Sequence, residues 1–329
     1  MSYNFTALTF SKDALKKILI TGVAGFIGSN LADTLLAKDY RVIGIDDFNS
    51  QYDPVIKRKN ISGALKSPLF SLYEVDIKDY QSICRIFKKE KPETIIHIAG
   101  LTGMVNSIDS PDKFFHTNVH GTESVLEACR KLKIGQFIFA STSSVYGNTT
   151  DKADENTPLP QPLNPYVLSK IMAEEVVASY AQHHGLNATI LRLSTVFGPR
   201  QKRTQAISKF THQIAHHEKV TVYGNGQAVR NYLYVEDCVR AFIFTLSKPF
   251  YFEIFNIGTQ SIISVTRSLK LISDLLGVTP EIEYIDHPEI VPKTSNIGVS
   301  KAGKMLNFHP EIPFERGIEY YIKWYLSSK

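Results

Sequence analysis

A glycine-rich turn between a short apolar strand and a helix is the feature that most constrains how this 329-residue chain can fold. Residues 17–21 are Lys-Ile-Leu-Ile-Thr, glycines follow at 22, 25 and 28, and residues 27–38 have a helical apolar period. Glycines let phosphates approach the backbone, and the helix N-terminus supplies free N–H groups and a positive dipole. The predicted dinucleotide contacts are Gly22, Gly25, Phe26, Ile27 and Gly28. A tight turn that packs a helix on a strand also selects glycine, so this structural alternative stays open.

Regular alternation of strand and helix patterns runs through the first half of the chain. Predicted strands cover residues 17–21, 41–46, 70–75, 94–98, 136–140 and 189–193. Predicted helices cover residues 27–38, 55–65, 79–89, 112–132 and 165–184. Such alternation is typical of an α/β fold with a parallel sheet covered on both faces. We therefore predict a doubly wound (Rossmann) dinucleotide-binding domain over residues 1–195.

The pattern changes after about residue 196, where strands become fewer and loops more frequent. We expect residues 196–329 to form a smaller, mostly substrate-binding lobe that ends in a helix over 314–326. Because ligands of open α/β folds bind at the carboxyl edge of the sheet, the lobe is expected to close over that edge. The boundary is soft, since elements from either part can pack on the other.

Two acidic residues, Asp46 and Asp47, end the second predicted strand about 20 residues after the glycines. An acidic residue there accepts hydrogen bonds from the adenosine ribose hydroxyls and repels a 2′-phosphate. The predicted cofactor is therefore NAD rather than NADP. Asp47 is equally explained as a solvated loop charge, so Asp46 is the predicted ligand.

Tyr166 and Lys170 lie four residues apart at the start of a predicted helix that Asn164-Pro165 would open. The spacing puts a phenol and an ammonium on one helix face, and a nearby cation favours the phenolate that a base needs. Thr142, Ser143 and Ser144 follow a predicted strand, where a substrate hydroxyl would share a proton with Tyr166. The alternatives are an ordinary surface Tyr and Lys, and a polar run that caps a loop.

Composition narrows the class of partner. The formal charge of +5 is dispersed, and the densest basic cluster, residues 57–59, is typical of a solvated face. Three widely separated cysteines and the lack of a long apolar stretch favour a reduced cytoplasmic setting, and we expect no metal, nucleic acid or membrane partner. Cys129 and Cys238 are expected to be buried, and the extension before Lys17 to be a flexible or surface-docked tail.

Nearly the whole chain resembles the extended short-chain dehydrogenase/reductase family, specifically its nucleotide-sugar epimerases and dehydratases. The markers are the segments 21–28, 76–77, 97–100, 118–122, 141–142 and 224–232, together with Tyr166 and Lys170. The resemblance implies that Asp76 and Ile77 contact adenine. It also implies an NAD channel at Ile98, Ala99, Gly100 and Asn118, with Tyr166 and Lys170 beside the nicotinamide ribose. Arg230 would hold the substrate diphosphate, and a homodimer would pack through the helices 112–132 and 165–184.

The residues after Thr142 discriminate between reactions within that family. Similar dehydratases carry an Asp-Glu pair there, and decarboxylating relatives keep the Glu, whereas this chain has Ser143 and Ser144. Serine does not serve as a carboxylate acid or base at neutral pH. The resemblance therefore implies 4-epimerisation of a UDP-sugar: Tyr166 takes the 4-hydroxyl proton, hydride passes to NAD⁺, the keto sugar turns, and hydride returns to the other face.

Two segments and two single residues indicate which sugar the protein binds. Residues 48–58, including Tyr52, and the segment 195–201 that starts at Thr195 look like those of UDP-glucuronate 4-epimerases. Lys202 stands where that group is expected to bind the sugar carboxylate with Arg, and it lacks the bidentate geometry. Ser295 matches a gatekeeper position that is small in relatives accepting N-acetylated sugars, although it is equally explained as a loop serine. We predict a hexuronate or N-acetylhexosamine rather than a plain hexose.

There are two alternatives to this function. One is a 4,6-dehydratase or UDP-glucuronate decarboxylase of the same fold. The other is a non-catalytic NAD-binding scaffold, whose signature would be loss of Tyr166 or Lys170, and both residues are present.

Overall fold

A seven-stranded parallel sheet forms the centre of the computed structural model, which describes residues 16–51, 53–149 and 151–328. The strands are β1 (Lys17–Thr21), β2 (Arg41–Asp46), β3 (Phe70–Glu74), β4 (Thr94–His97), β5 (Gln136–Thr142), β6 (Ala188–Leu193) and β11 (Phe252–Ile257). Their order across the sheet is β11-β6-β5-β4-β1-β2-β3. Strands β2 and β3 are added on one side of β1, and β4, β5 and β6 on the other side. Ligands of such folds bind in the crevice between β1 and β4, where the strand order changes side. Tyr52 and the predicted tail, except Lys16, lie outside the described residues.

Helices cover both faces of the sheet. They are α1 (Phe26–Leu36), α2 (Pro54–Asn60), α3 (Tyr80–Glu90), α4 (Met104–Asp109), α5 (Pro111–Phe115), α6 (Gly121–Leu132), α7 (Pro165–His184), α8 (Ala206–Ala215), α9 (Val235–Leu246), α10 (Val265–Leu276), α11 (Ser300–Leu306) and α12 (Phe314–Ser327). Ile18 and Ile20 pack in the core with α1 and α9, whereas Leu19 packs on the other face with α3, α6 and α7. Both faces of β1 are thus buried, which explains its continuous apolar sequence. The predicted doubly wound α/β fold is confirmed.

Several predicted boundaries are confirmed, among them β1, β2 and α7. The predicted helix 112–132 is wrong as a single element, because α5 and α6 are joined by a π-helical turn at His116–His120. One extra residue in such a turn barely alters the apolar period, so the sequence pattern does not reveal it. The predicted helix 55–65 is also interrupted, since α2 ends at Asn60 and a 3₁₀ turn follows at Ala64–Lys66.

The C-terminal part contains more strands than the sequence indicates. Besides β11, which joins the main sheet, the short strands are β7 (Thr195–Phe197), β8 (Val220–Tyr223), β9 (Val229–Arg230), β10 (Tyr232–Tyr234), β12 (Ile263–Ser264) and β13 (Ile282–Ile285). They pair as β7 with β10, β8 with β13 and β9 with β12. The expectation of fewer strands is wrong because two to four residues are too few to show a strand period. The expected terminal helix corresponds to α12.

The described part of the chain contains no helix that combines the length and the apolar character needed to span a bilayer. Nor does that part bring together three or more His, Cys, Asp or Glu side chains in a metal-binding group. Cys129 and Cys238 are buried thiols, as predicted.

Candidate active site

Two adjoining clefts open along the carboxyl edge of the main sheet. The first, called here the turn cleft, is lined by the glycine turn and the ends of β2 and β4, and includes Gly22, Gly25, Gly28, Asp46, Ile98 and Lys202. The second, called the hydroxyl cleft, has a volume of about 580 Å³ and includes Thr142, Ser143, Ser144, Tyr166, Thr195 and Arg230. Phe26, Ile27, Ile98 and Gly100 line both clefts, so a ligand in one adjoins a ligand in the other.

The glycine turn is shaped by close backbone contacts. Gly22 has a φ of +72°, and a Cβ placed on it would lie 2.8 Å from the backbone nitrogen of Ala99. A Cβ on Gly28 would lie 2.2 Å from the Gly22 carbonyl oxygen, so only glycine fits. Gly25 begins α1 without a side-chain cap, which leaves the first N–H groups of the helix to a ligand. This uncapped helix end and the glycines of the turn fit a dinucleotide pyrophosphate.

Asp46 lies at the end of β2 and lines the turn cleft. Its two carboxylate oxygens accept hydrogen bonds from the backbone N–H groups of Ala24 (3.0 Å) and Phe48 (2.9 Å). Lys57 Nζ lies 3.3 Å from the same carboxylate, and both side chains are buried. The expectation that residues 57–59 form a solvated face is therefore wrong for Lys57. Asp46 is held rigidly by these three contacts, as an acid that binds ribose hydroxyls requires.

Lys202 lies in a different cleft from the one predicted. It lines the turn cleft together with Lys57, whereas the sequence placed it against the substrate sugar. Burial lowers the pKa of Lys202 to about 8, and the charge of Lys57 adds to this effect. The sequence does not reveal this because the position of a loop residue depends on how the loop folds back over the sheet.

A buried chain of hydrogen bonds fixes the backbone that both clefts share. Ala99 N–H donates to Thr21 Oγ1 (3.2 Å), and His97 bridges the Thr21 and Thr122 hydroxyls at 2.7 and 3.0 Å. Burial, assisted by the charge of Lys170, lowers the pKa of His97 to about 3, so the imidazole is neutral. His97 is thus a packed, hydrogen-bonded core residue beneath the cleft.

Three residues predicted at the cofactor occupy distinct positions. Ile77 lines the turn cleft, but Asp76 lies outside both clefts, half-exposed and 3.2 Å from Lys78 Nζ. Asn118 is buried beneath the cleft wall: its side chain accepts from Leu101 N–H (2.7 Å) and donates to Leu101 O and Ser169 Oγ. Asn118 therefore braces the loop after β4 against α7 instead of lining the cleft, because its hydrogen-bonding capacity is used within the protein.

The predicted acid–base residues meet at one end of the hydroxyl cleft. Asn164 caps α7 by accepting from Val167 N–H (2.9 Å), which places Tyr166 in the first turn, and Thr142 is the last residue of β5. Burial raises the pKa of Tyr166, and a hydrogen bond with Thr142 opposes that rise. Within the protein's own contacts the expected lowering of the Tyr166 pKa by Lys170 is not found.

Lys170 is anchored to the neighbouring strand. Its Nζ donates to the carbonyl oxygen of Ala140 (2.7 Å) and lies 4.0 Å from the centre of the Phe139 ring. Burial lowers the pKa of Lys170 to about 7, while the negative charge of Glu174 acts in the opposite direction. Lys170 is thus an immobilised cation in a site where charge is costly.

Hydroxyl groups dominate the wall around Thr142. Thr142 Oγ1 accepts from Ser144 N–H and donates to Ser144 Oγ, both at 3.1 Å, and Ser143 is buried at the cleft wall. Of the described residues that line the hydroxyl cleft, none is an Asp or Glu. The cleft can exchange protons through Thr142 and Tyr166, but it offers no carboxylate acid or base.

Only some of the predicted substrate-binding residues lie in the hydroxyl cleft. Thr195 and Arg230 line the hydroxyl cleft, whereas Ser295 does not, and its N–H donates to Val229 O (3.2 Å). The Arg230 guanidinium donates through Nη1 to the carbonyl oxygens of Val229 (2.8 Å) and Lys293 (3.1 Å) and through Nη2 to that of Pro292 (2.5 Å). Its Nε and one further Nη2 hydrogen are left for a ligand.

Asn231, which follows Arg230, is a buried structural residue. Its Nδ2 donates to Thr259 O (2.9 Å) and Ser261 O (3.2 Å), and its Oδ1 accepts from Ile297 N–H (3.0 Å). A carboxylate cannot donate, so the amide suits this position.

Sequence reasoning missed a buried ion pair behind the hydroxyl cleft. Arg192 Nη2 lies 2.6 Å from Glu174 Oε2, with both side chains almost fully buried. The sequence does contain a sign of this pair, since Arg192 is a charged residue within the otherwise uncharged strand β6. A charge in a buried parallel strand requires a partner.

Known proteins with similar sequences include nucleotide-sugar epimerases and dehydratases. The profile of the NAD-dependent epimerase/dehydratase family matches residues 18–258. A UDP-glucuronate 4-epimerase of Thermodesulfobacterium geofontis is 32% identical over 93% of this chain and 95% of its own. A human dTDP-D-glucose 4,6-dehydratase is 33% identical over 94% and 90%.

A crystal structure from Bacillus cereus shows the same fold. It is a UDP-glucuronic acid 4-epimerase in complex with UDP-glucuronic acid and NAD, 29% identical, covering 95% of this chain and 100% of its own with a TM-score of 0.91.

Proposed function

Since the chain belongs to the NAD-dependent epimerase/dehydratase family, we propose that it inverts C4 of a UDP-sugar through a transient 4-keto sugar. The observation that carries this proposal is the hydroxyl cleft, where Thr142, Ser143 and Ser144 face Tyr166 and Lys170 without a lining carboxylate. Water elimination from the keto sugar needs an acid and a base beyond the tyrosine, whereas epimerisation needs only reversible proton transfer at O4. The hydroxyl cleft supplies Tyr166 and Thr142 for proton transfer at O4, and its described lining lacks the carboxylates that water elimination needs.

When bound, NAD would supply the hydride acceptor and donor for C4. The residues that would hold it line the turn cleft: Gly22, Gly25 and Gly28 admit the pyrophosphate, and Asp46 faces the adenosine ribose. Ile98, Ala99 and Gly100 lead towards the hydroxyl cleft and would flank the nicotinamide end. Ile77, which lines the turn cleft, would contact the adenine. Asp76 and Asn118 do not line the cleft, which argues against direct contacts of these two residues with NAD.

The proton is handled at one oxygen. Tyr166 takes the proton of the 4-hydroxyl as oxidation proceeds and gives it back when the keto group is reduced. Thr142 hydrogen-bonds Tyr166 and is placed to share that proton, while Ser143 and Ser144 orient the sugar. Lys170 lines the same cleft as Tyr166, and its anchored ammonium would bind the nicotinamide ribose. This charge stabilises the phenolate in the transition state.

The diphosphate must stay fixed while the sugar turns. Arg230 is placed to hold it, with its guanidinium already oriented by the Val229 and Lys293 carbonyls. Thr195 lines the cleft from β7, and ten of the thirty described lining residues belong to 196–329, which supports the role of this segment as a substrate lobe.

For the sugar itself we propose a hexuronate or an N-acetylhexosamine. Similarity to a UDP-glucuronate 4-epimerase supports the first. The second rests on the resemblance of Ser295 to a small gatekeeper residue, although Ser295 does not line the hydroxyl cleft. Lys202 lies in the turn cleft and does not favour either sugar.

Incubation of the purified protein with NAD and UDP-glucose, UDP-glucuronate or UDP-N-acetylglucosamine tests the proposal. Epimerisation leaves the product mass unchanged and changes the coupling constants of H4 in the NMR spectrum, because H4 changes between axial and equatorial. Loss of water would identify a dehydratase instead, and loss of carbon dioxide a decarboxylase. A protein that converts none of the three UDP-sugars would contradict the proposal.

A further inference from the structure

A buried ion pair lies directly behind the residues that handle the proton. Glu174 and Arg192 are 4% and 5% exposed, and the Arg192 Nε and Nη2 groups donate to the Glu174 carboxylate at 2.6 to 3.2 Å. Neither residue lines the hydroxyl cleft, so neither contacts substrate. The pair joins α7, which carries Tyr166 and Lys170, to β6.

The pair belongs to a larger network of buried side chains. Ser141 Oγ donates to Glu174, and Arg192 Nη1 donates to Tyr146 OH (2.9 Å). Tyr146 OH donates in turn to Asn256 Oδ1 (2.8 Å) on β11. The network therefore connects the end of β5, the following turn, α7, β6 and β11 in one hydrogen-bonded unit around the cleft.

The position of Ser141 gives this network a catalytic consequence. Ser141 stands between Ala140, whose carbonyl accepts the Lys170 hydrogen bond, and Thr142, the hydroxyl partner of Tyr166. Lys170 and Glu174 are one helical turn apart on α7 and face the same strand. A shift of Ser141 would therefore displace both the anchor of Lys170 and the Thr142 hydroxyl.

We propose that Glu174 and Arg192 are positioning residues: they hold Ser141, and with it Ala140 and Thr142, in register with Lys170 and Tyr166. This inference rests on the proposed epimerase function. A merely stabilising role explains the pair less well, because apolar residues of similar size often replace a buried ion pair without loss of stability.

Glu174 also acts on the charge of Lys170. Glu174 and Tyr166 lie one helical turn away on its own helix, His97 interacts with it from β4, and Arg192 pairs with Glu174 from β6. His97 is neutral, so Glu174 is the negative group that offsets burial. Glu174 raises the pKa of Lys170, which burial lowers to about 7.

Glu174→Gln is the decisive variant, because it keeps the shape of the side chain and an acceptor for Ser141 while removing the charge. We expect kcat at neutral pH to fall about tenfold or more, with KM changed less than about threefold. Loss of the carboxylate lowers the pKa of Lys170 further, so the alkaline limb of the kcat profile moves to lower pH. Glu174→Asp, which restores the charge, is expected to recover part of the rate.

Asp237→Asn provides a matched control. Asp237 is a fully buried carboxylate on α9 that lines neither cleft, paired with Arg240 (2.9 Å) and with the N–H groups of Glu311 and Ile312. Its loss is expected to lower the thermal midpoint without moving the pH profile.

If Glu174→Gln fails to fold because Arg192 is left unpaired, Ser141→Ala tests the positioning step. Because Ser141 also lines the hydroxyl cleft, an unchanged KM separates lost positioning from a lost substrate contact. It leaves the ion pair intact, and we expect a three- to tenfold loss of kcat at about the wild-type thermal midpoint. A wild-type pH profile and kcat in Glu174→Gln, or in Ser141→Ala where the first variant does not fold, would overturn the inference. Failure of the wild-type protein to convert any UDP-sugar would instead count against the proposed function.

Discussion

Lys170 and Ala140 form a 2.7 Å hydrogen bond that ties the side chain of α7 to the backbone of β5. The bond holds an ammonium in a buried site, where burial lowers the pKa of Lys170 to about 7 from an unfolded value of 10.5. Between these two pH values the unfolded chain binds more protons than the folded chain. Lys170 therefore makes the free energy of unfolding rise with pH above about 7.

This sign leads to a first prediction. In cofactor-free protein, we expect the free energy of unfolding to rise less steeply between about pH 7 and pH 9 in Lys170→Met than in the wild type. Urea unfolding at several pH values measures both slopes. Equal slopes in the two proteins would show that Lys170 keeps an ordinary pKa in the folded state. Lys209→Met, which alters a partly exposed lysine of α8, serves as the control.

The role of Tyr166 gives a second prediction. Tyr166→Phe removes the phenolic oxygen without altering the packed ring, so we expect kcat to fall by about a thousandfold while UDP binding is retained. Calorimetry with UDP and the epimerase assay together separate the two effects. Tyr180→Phe is a matched control, because Tyr180 lies on the same helix and donates to Glu127 at 3.3 Å. Full activity in Tyr166→Phe would end the proposed mechanism.

The steric demand at Gly28 gives a third prediction. An alanine Cβ there would lie 2.2 Å from the Gly22 carbonyl oxygen, so the turn must open and the pyrophosphate site is lost. We expect Gly28→Ala to weaken NAD binding about a hundredfold or more, as measured by equilibrium dialysis. Gly63→Ala is the control, since a Cβ at Gly63 has as its nearest neighbour an Asp33 oxygen at 3.9 Å. Unchanged NAD binding in Gly28→Ala would mean that the dinucleotide avoids this turn.

The sequence predicted the architecture well where local chemistry decides it. β1 and β2 are buried on both faces and α7 has an Asn-Pro start, so their boundaries follow from apolar runs and capping. The π turn at His116–His120 and the two-residue strands depend on tertiary packing, which leaves no periodic signal. The residues at the ends of strands were likewise predictable, because parallel strands deliver them to one edge.

Side chains on loops were predicted less well than those on strands. Lys202 and Ser295 follow no strand end, and their positions depend on how distant segments fold over the sheet. Asn118 was assigned by resemblance alone, while its surroundings use the amide to brace Leu101 and Ser169. Glu174 was overlooked because a carboxylate on a helix usually faces solvent.

The position of Lys202 yields a fourth prediction. Because Lys202 lines the turn cleft beside Lys57, we propose that it contacts the cofactor pyrophosphate instead of a sugar carboxylate. Lys202→Ala is expected to weaken NAD binding about tenfold and to leave the preference among UDP-sugars unchanged. Burial lowers the pKa of Lys202 to about 8, so NAD affinity of the wild type should fall as the pH rises through 8.

Equilibrium dialysis of cofactor-stripped protein over that pH range measures this effect. Lys209→Ala tests whether removal of any nearby lysine has the same consequence, and we expect it to bind NAD as the wild type does. A changed ratio of UDP-glucuronate to UDP-N-acetylglucosamine conversion in Lys202→Ala, with unchanged NAD binding, would restore the original assignment of Lys202 to the sugar.

The outer face of α7 gives the last prediction. Leu168 and Met172 are 37% and 40% exposed one turn apart on that helix, and Val105 and Ile108 on α4 are also exposed. An apolar strip of this kind fits the homodimer that the sequence led us to expect, with α6 and α7 packing against their copies as a four-helix interface. We expect the wild type to be dimeric at micromolar concentration by light scattering. Leu168→Glu/Met172→Glu should shift it to a monomer, because it places charges in the interface. Leu326→Glu, which alters an exposed leucine of α12, should leave the dimer intact, and a monomeric wild type would refute the interface.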